Sequence, residues 1–436
     1  MNLNLKFPST FQIALLLSLI VYLLAVAITL PVDANLLGYS FEVLGFWKTG
    51  FWELLEFTMQ MILILVLGHT LAMSKPVNYL LDKVASTATN NSQAVLMTGM
   101  GAVAGGYINW GFGLIFGAVL ARKIGEYASR NNIEINYPLV AASGYLGMLV
   151  WHGGFSGSST LKVAEDNHFL ADTIGIITVD QTIFSSFNLW VNLSLIICLG
   201  ITLYILSKRR FIKFDIAFED KMFERKKIVG KGVDKLGYIL GVLILVLVLV
   251  DFLKVGDEGW GFLDLNFVNF ALLGFGLLAF GSLNEYVISL RDAVKGATDI
   301  LIQFPFYAGI LGIMKYSGLL VLLADDMVSR SGADTFPLLS FFSAALINFF
   351  VPSGGGQWAI QGPVVMEAAE KMGIEIPKMI LVFAYGDQVS NMLQPFWALP
   401  LLSITGLSAK EILKYTSIFF LTAFIVLGLF VWYGVS

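Results

Sequence analysis

Two glycine-rich strings carry the strongest chemical signal in this chain. In VPSGGGQW (351–358), Pro352 should end one helix, Gly354, Gly355 and Gly356 leave the amides of a turn unobstructed, and a second helix is expected from about Gln357. The free N–H groups and positive dipole end of such a helix face the turn, a setting that holds a carboxylate or phosphate, and Ser353 adds a hydroxyl donor. The plainer reading is a tight turn that merely lets two helices pack. GGFSGSST (153–160) breaks another apolar run with Gly153, Gly154, Phe155, Ser156, Gly157, Ser158, Ser159 and Thr160. Small hydroxylated residues also pack membrane helices, so the segment, more than any one serine, suggests a binding break. A later break offers Asn391, Gln394 and Pro395, whose amides can donate to an anion or lend carbonyls to a cation.

Asn109 and Asn348 stand where two apolar runs are expected to turn. Such a pair suits two side-chain carbonyls facing a ligand, with helix capping as the alternative. Three ionisable residues stand out at membrane depth: His69 in LGHTL, His152 before GGFSGS and Asp387 in AYGDQ. Asp or Lys at the centre of a membrane helix costs roughly 2.5–3.5 kcal/mol, so each is a functional candidate by default. Asp387 lies about one turn before Asn391 and is the leading candidate for coupling a proton or sodium ion; a structural salt bridge is the rival. His69 and His152 could join it, or be satisfied core histidines. His168 is expected to be solvated in an external loop. Trp110, Phe112, Phe155, Trp358, Phe396 and Trp397 flank the breaks and could enclose a short apolar tail, or simply pack.

The elements that must position these residues are set by an unusual composition. Of 436 residues 57% are hydrophobic and 13% charged, with a mean hydropathy of +0.78, whereas soluble chains carry about a quarter charged residues. Apolar runs near the ~20 residues needed to cross a bilayer recur at 11–30, 51–73, 183–206, 236–253, 264–283, 297–314 and 412–434. The first exceeds a signal-peptide core and lacks a prompt small-x-small site, so it reads as a membrane helix. The net charge of −4 argues against a nucleic-acid partner. The single cysteine, Cys198, excludes an intramolecular disulfide or a cysteine-based metal site; it should be a small core or lipid-facing residue. No G-x-x-x-x-G-K-[ST] or HExxH string occurs, so neither a P-loop nor a zinc enzyme of that type is indicated, and no cofactor is implied.

Between the full spans lie interrupted stretches at 94–123, 137–160, 337–370 and 377–404. Backbone leaves helical geometry at membrane depth only where protein or a wet cavity surrounds it, and such breaks build transporter binding sites. The two halves echo one another: Asn109 to Asn348 and Pro138 to Pro377 are both separated by 239 residues. Ten of the 27 Lys and Arg lie between Lys208 and Lys235, which places loop 207–235 in the cytoplasm. Counting outward from that anchor puts the acidic loop 160–182 outside, the N-terminus inside, and the two halves in opposite orientations. The expected organisation is a first inverted repeat at 1–206, a basic linker with an inverter helix at 207–263, and a second repeat at 264–436. Stretches 94–123 and 337–370 become re-entrant hairpins, and 137–160 and 377–404 broken helices, in an all-α polytopic membrane protein.

At these motifs the chain resembles the bacterial short-chain fatty acid transporter family, within the broader ion transporter superfamily. The resemblance spans nearly the whole chain. GFWELLEFTMQM (50–61), GHTLA (68–72), INWGFGL (108–114), GGFSGS (153–158), QFPFYAGI (303–310), FFSAALINFFVPSGGGQWAIQGP (341–363) and AYGDQVSNMLQPFWALP (384–400) carry it. It implies uptake of butyrate, acetoacetate and similar monocarboxylates across the bacterial inner membrane. It also implies a scaffold plus a mobile transport domain, elevator-like motion and a homodimer in the lipid bilayer. The family pattern has glycine where this chain has His152, and often histidine where it has Gln357, which leaves substrate preference and coupling route open.

The expected function is therefore secondary, cation-coupled transport. The substrate carboxylate would lie between tips 109–113 and 352–357 and breaks 153–159 and 391–397, held by backbone N–H groups, Ser353, Ser156 and the Asn or Gln amides. A passive channel is one alternative. An intramembrane serine hydrolase using Ser156 and His152 is a weaker one, because the string lacks the spacing of a nucleophile elbow.

Overall fold

The computed structural model describes residues 10–210, 235–254, 260, 262–349, 351–394 and 397–435. Most of the basic loop 207–235, together with Pro395 and Phe396, lies outside them. Every regular element among the described residues is helical, the solution expected where backbone polar groups must be satisfied away from water.

Helices α1 (Thr10–Ile28), α2 (Leu36–Glu53), α3 (Leu55–Ala72) and α4 (Lys75–Ala85) open the chain. The run expected at 51–73 is split at Leu54, whose backbone departs from helical geometry between α2 and α3. A hairpin follows, α5 (Asn91–Ile108) and α6 (Trp110–Arg130), then a short α7 (Tyr137–Ser143), a 3-10 turn Leu146–Leu149, and α8 (Ser158–Lys162). Next come the turn α9 (Ala171–Ile174) and the long apolar helices α10 (Ser186–Ser207) and α11 (Lys235–Leu253). The second half runs through α12 (Leu265–Phe280), α13 (Leu283–Lys295), α14 (Thr298–Tyr316) and α15 (Leu319–Arg330) to a second hairpin, α16 (Phe336–Ile347) and α17 (Gly354–Lys371). Helix α18 (Ile376–Ser390), a 3-10 turn Asn391–Leu393, α19 (Leu399–Thr405) and α20 (Ala409–Gly434) complete it. Helices α4, α13 and α15 are amphipathic and were not among the expected spans, because their charges interrupt any purely apolar window.

Burial sorts the helices in the sense opposite to a soluble protein. The strongly hydropathic helices α11, α10 and α20 are only 22%, 33% and 22% buried within the protein, and Leu243, Leu247, Leu421 and Ile425 face outward, as lipid-facing residues should. The interior is instead built from the interrupted stretches. Every residue of α7 is buried, as is α18 from Met379 to Ser390. The two halves interleave there: α8 packs on α17 and α18, while α19 packs on α6.

The structure corrects four expectations. Helix α16 ends at Asn348 rather than Pro352, and α17 starts at Gly354 rather than near Gln357, because Ser353 caps it by accepting from Gly356 N at 3.3 Å. In the segment expected to be a solvated acidic loop, Lys162 and Glu165 are buried between α8, α3 and α12. Lys162 Nζ donates to Glu165 at 2.5 Å and to Gln60 at 3.3 Å, while Gln60 donates to Glu165 at 2.8 Å and to Asn266 at 3.1 Å. His168 is buried as well: Nδ1 accepts from Leu170 N, and Nε2 is paired with the Gly175 carbonyl. Charge composition marked this stretch as polar, but packing against α3 and α12 took it out of water.

Candidate functional site

Both hairpin tips and both breaks meet in the interior. Asn109 is the entire connection between α5 and α6. Its backbone is extended, and its side chain, fully buried, accepts from Phe112 N at 2.7 Å and donates to the Ile64 carbonyl at 3.3 Å. The carbonyl oxygen is thus occupied in capping α6. Ser156, also fully buried, accepts from Trp110 N at 2.9 Å and so ties the first break to the first tip. Its hydroxyl is not paired with His152, so the nucleophile pair weighed from the sequence is not assembled.

At the second tip Asn348 uses its amide to bridge hairpin and break. Nδ2 lies 2.6 Å from the Asp387 carbonyl, 2.9 Å from Ser390 Oγ and 2.9 Å from Asn391 Oδ1. Gln394 donates back to the Asn348 carbonyl at 2.9 Å, and Tyr145 of the first break donates to the Asn391 carbonyl at 3.0 Å. Asp387 and His152 join across 235 residues of sequence, Oδ2 to Nδ1 at 2.9 Å, with both side chains essentially unexposed. The His152 backbone N–H donates to Gln388 Oε1 at 3.1 Å, and Nε2 faces Ser159.

A small cavity of about 20 Å³ sits at the centre, lined by Met61, Trp110, Met148, Trp151, Ile300, Ser353, Gly354, Asn391 and Trp397. That is room for about one water. A second cavity of about 230 Å³ shares Trp110, Ile300, Ser353 and Trp397 with it and extends past Gln303 and Tyr307 to His69 and Lys295. The indoles of Trp110 and Trp397 meet edge to face at 5.3 Å, and Trp151 lies 6.1 Å from Trp110. Buried N–H groups without an acceptor are uncommon, yet the indole N–H groups of Trp110 and Trp151 have none among the described residues. Ser353 Oγ and its carbonyl take the N–H groups of Gly356 and Gln357; those of Gly354 and Gly355 have no acceptor among the described residues. The cavity wall is therefore rich in donors without acceptors, the pattern that suits a bound anion.

Of the residues singled out from sequence, Trp110, Ser353, Gly354, Asn391 and Trp397 line the central cavity, and His69 lines the larger one. Asn348, Gln394, Asp387 and His152 form the polar layer behind it. Gly355 and Gly356 serve close packing: an added Cβ would lie 2.8 Å from Phe304 and 2.5 Å from Tyr307. Gly154 packs on the Tyr107 backbone, and Ser158 is buried with no partner for its hydroxyl among the described residues. Phe155 meets Tyr107 and Phe184 edge to face and borders a separate apolar groove, and Trp358 packs on Phe383; neither borders the central cavity. Sequence reasoning missed Tyr145, Trp151 and Gln388, which sit within apolar runs like any core residue.

Comparison with known proteins agrees with this architecture. Residues 2–433 match the family described as short chain fatty acid transporter. Proteins of Escherichia coli K12 and Haemophilus influenzae Rd, both named "Putative short-chain fatty acid transporter", are 37% and 36% identical, each over 97% of this chain and 96% of the relative. The fold is similar to two solved transporters at 14% identity. One is YdaH of Alcanivorax borkumensis, with a TM-score of 0.56 over 98% of this chain and 99% of that one. The other is MtrF of Neisseria gonorrhoeae, of a class described as antimetabolite efflux pumps, with a TM-score of 0.59 over 98% and 96%. This multi-pass membrane chain, with breaks and hairpin tips gathered around a donor-lined cavity, belongs to the short-chain fatty acid transporter family, a family of transporters and not of enzymes.

Proposed function

We propose that the chain is a secondary active transporter of short-chain monocarboxylates such as butyrate and acetoacetate, coupled to a proton or sodium ion. The observation that carries this reading is the set of donors without an acceptor among the described residues around the central cavity: the indoles of Trp110 and Trp151, beside the N–H of Gly354 at the start of α17. A carboxylate accepts from such groups with charge-assisted hydrogen bonds, and the helix dipole adds to them. Met61, Met148, Ile300 and the three tryptophans offer an apolar wall for a short acyl chain. At about 20 Å³ the centre is closed around less than a substrate, so a loaded state requires the tips to part or the ligand to enter from the larger cavity.

The interleaving of the halves supports an inverted repeat: two re-entrant hairpins and two broken helices move as a transport domain against a scaffold containing α3 and α12, in elevator-like fashion. With the basic loop 207–235 and the N-terminus in the cytoplasm, the end of α3 at His69 also faces the cytoplasm, and the larger cavity is an inward vestibule. The setting is the bacterial inner membrane, in a homodimer.

The test is uptake of labelled butyrate by proteoliposomes of the full chain, corrected for protein-free vesicles, under imposed pH and sodium gradients. Accumulation above the equilibrium level is expected. Linear flux without accumulation would turn the reading into a passive channel, and no protein-dependent flux would refute the substrate class.

A further inference from the structure

We propose that the coupling ion is a proton, taken up at Asp387 as one unit with His152 and Ser159. This deepens the transport reading and rests on it for the link to substrate. The geometry fixes where the protons are. The Ser159 backbone N–H, which can only donate, lies 3.2 Å from His152 Nε2, so Nε2 is an acceptor and the ring proton belongs on Nδ1. Nδ1–H therefore donates to Asp387 Oδ2 at 2.9 Å, and Ser159 Oγ, 3.0 Å from Nε2, completes the chain. Trp151 stacks on the imidazole at 4.3 Å and Phe383 meets its edge at 6.0 Å, which holds the ring in place.

In this arrangement the unit is neutral histidine plus carboxylate, a net charge of −1 in a fully buried place. One carboxylate oxygen is satisfied and the other, Oδ1, has no partner among the described residues. An unpaired buried charge is costly, and a proton from water added at Oδ1 removes it, converting the carboxylate to a carboxylic acid with histidine unchanged. His152 already occupies Oδ2 as a donor. A proton on Oδ1 neutralises the carboxylate with no further ligand, whereas a metal cation needs several oxygen ligands gathered around it.

The charged groups of the packed elements are committed elsewhere. In α8, Lys162 is paired with Glu165; in α17, Lys371 is paired with Asp325 and Glu367, and Glu370 is exposed; in α18 itself, Lys378 is paired with Glu375. Helix α16 carries no ionisable side chain, Lys410 and Lys414 of α20 are exposed, and Glu411 caps its own helix. The buried phenols Tyr145 and Tyr385 donate to Asn391 O and Asn188 Oδ1.

Coupling follows from position. A Cβ built on Gly354 would lie 3.2 Å from Asp387 Oδ2, so the carboxylate abuts the helix start assigned to the substrate. An ionised Asp387 repels a carboxylate ligand there, and a protonated one does not. Proton and substrate therefore raise each other's affinity, by the same factor in both directions.

Two measurements on the purified full chain decide it. Infrared pH-difference spectra should show a protonated-carboxyl band that disappears in Asp387→Asn; absence of that band in the wild type overturns the proposal whether or not any ligand binds. Butyrate affinity, measured between about pH 6 and 9 where the ligand stays ionised, should fall as pH rises, by up to about tenfold per unit if one proton is taken up with the ligand. Butyrate binding should also take up close to one proton. Replacing sodium by choline should change nothing, and Asp387→Asn should abolish the slope. A flat pH profile with affinity that depends on sodium would overturn the proton assignment. The titrating band with no butyrate binding at any pH would leave the proton site standing and refute the substrate reading instead.

Discussion

Lys162→Met tests the buried ion pair that joins the end of α8 to α3. Lys162 and Glu165 have side chains only 6% and 8% exposed and lie 2.5 Å apart. Methionine keeps much of the apolar stem but removes the charge. Deleting one partner of a buried pair costs about 3–5 kcal/mol, because the other charge is left uncompensated. Gln60 still donates to Glu165 at 2.8 Å, so the lower end, about 3 kcal/mol, applies. Burial already pushes the Glu165 carboxyl above its usual range, against the pull of Lys162, and without Lys162 the desolvation acts unopposed by that cation. A folded-state value above the unfolded one means that the folded protein binds the proton more tightly. The stability it contributes is then present at pH below the unfolded value and is lost as pH rises through the raised one. Thermal unfolding in detergent should show Lys162→Met lowered on the order of 3 °C near pH 8 and by less than half of that near pH 5. The double variant Lys162→Met/Glu165→Gln should recover most of the loss at the higher pH. An equal loss at both pH values, or no recovery in the double variant, would refute the reasoning.

Asn348→Ala removes the amide shared by the Asp387 carbonyl, Ser390 and Asn391 and should cost about 2–3 kcal/mol in thermal unfolding. Asn348→Asp, which puts an oxygen where the amide donates, should cost at least as much. Gly354→Ala places a Cβ 2.5 Å from the Trp151 ring; overpacking of about 1–3 kcal/mol should accompany loss of butyrate uptake. Gly406→Ala, strained only by a φ of 73° and with no atom within 4 Å, should be destabilised by about 1 kcal/mol with uptake kept; equal uptake in the two variants would argue against a substrate site at the tip. Trp110→Phe keeps the ring and removes the indole donor; butyrate affinity should weaken about tenfold, as for a lost hydrogen bond to a charged group, and unchanged affinity would remove Trp110 from the carboxylate site.

Much of the architecture was legible because it is written in local composition. Long apolar runs specify spanning helices, and glycine, proline, asparagine and serine inside such runs mark where helices must break. Asn109, Asn348 and Ser353 were found by type and place. Their roles were less accessible: Asn109 turned out to be a helix cap, whereas Asn348 bridges two segments. The amphipathic α4, α13 and α15 escaped a search for purely apolar windows.

Composition and spacing by themselves determined that this is a multi-pass helical membrane protein, with breaks at 153–159 and 391–397 and turns near 109 and 348. Each of those signals lies within one helix length of chain. Only the tertiary structure decided that His152 meets Asp387, that Ser159 and not Ser156 faces the imidazole, and that Lys162 and Glu165 leave water. The physical reason is that these outcomes depend on which side chains face each other between segments up to 235 residues apart, and no local periodicity records the direction in which a side chain leaves a broken helix.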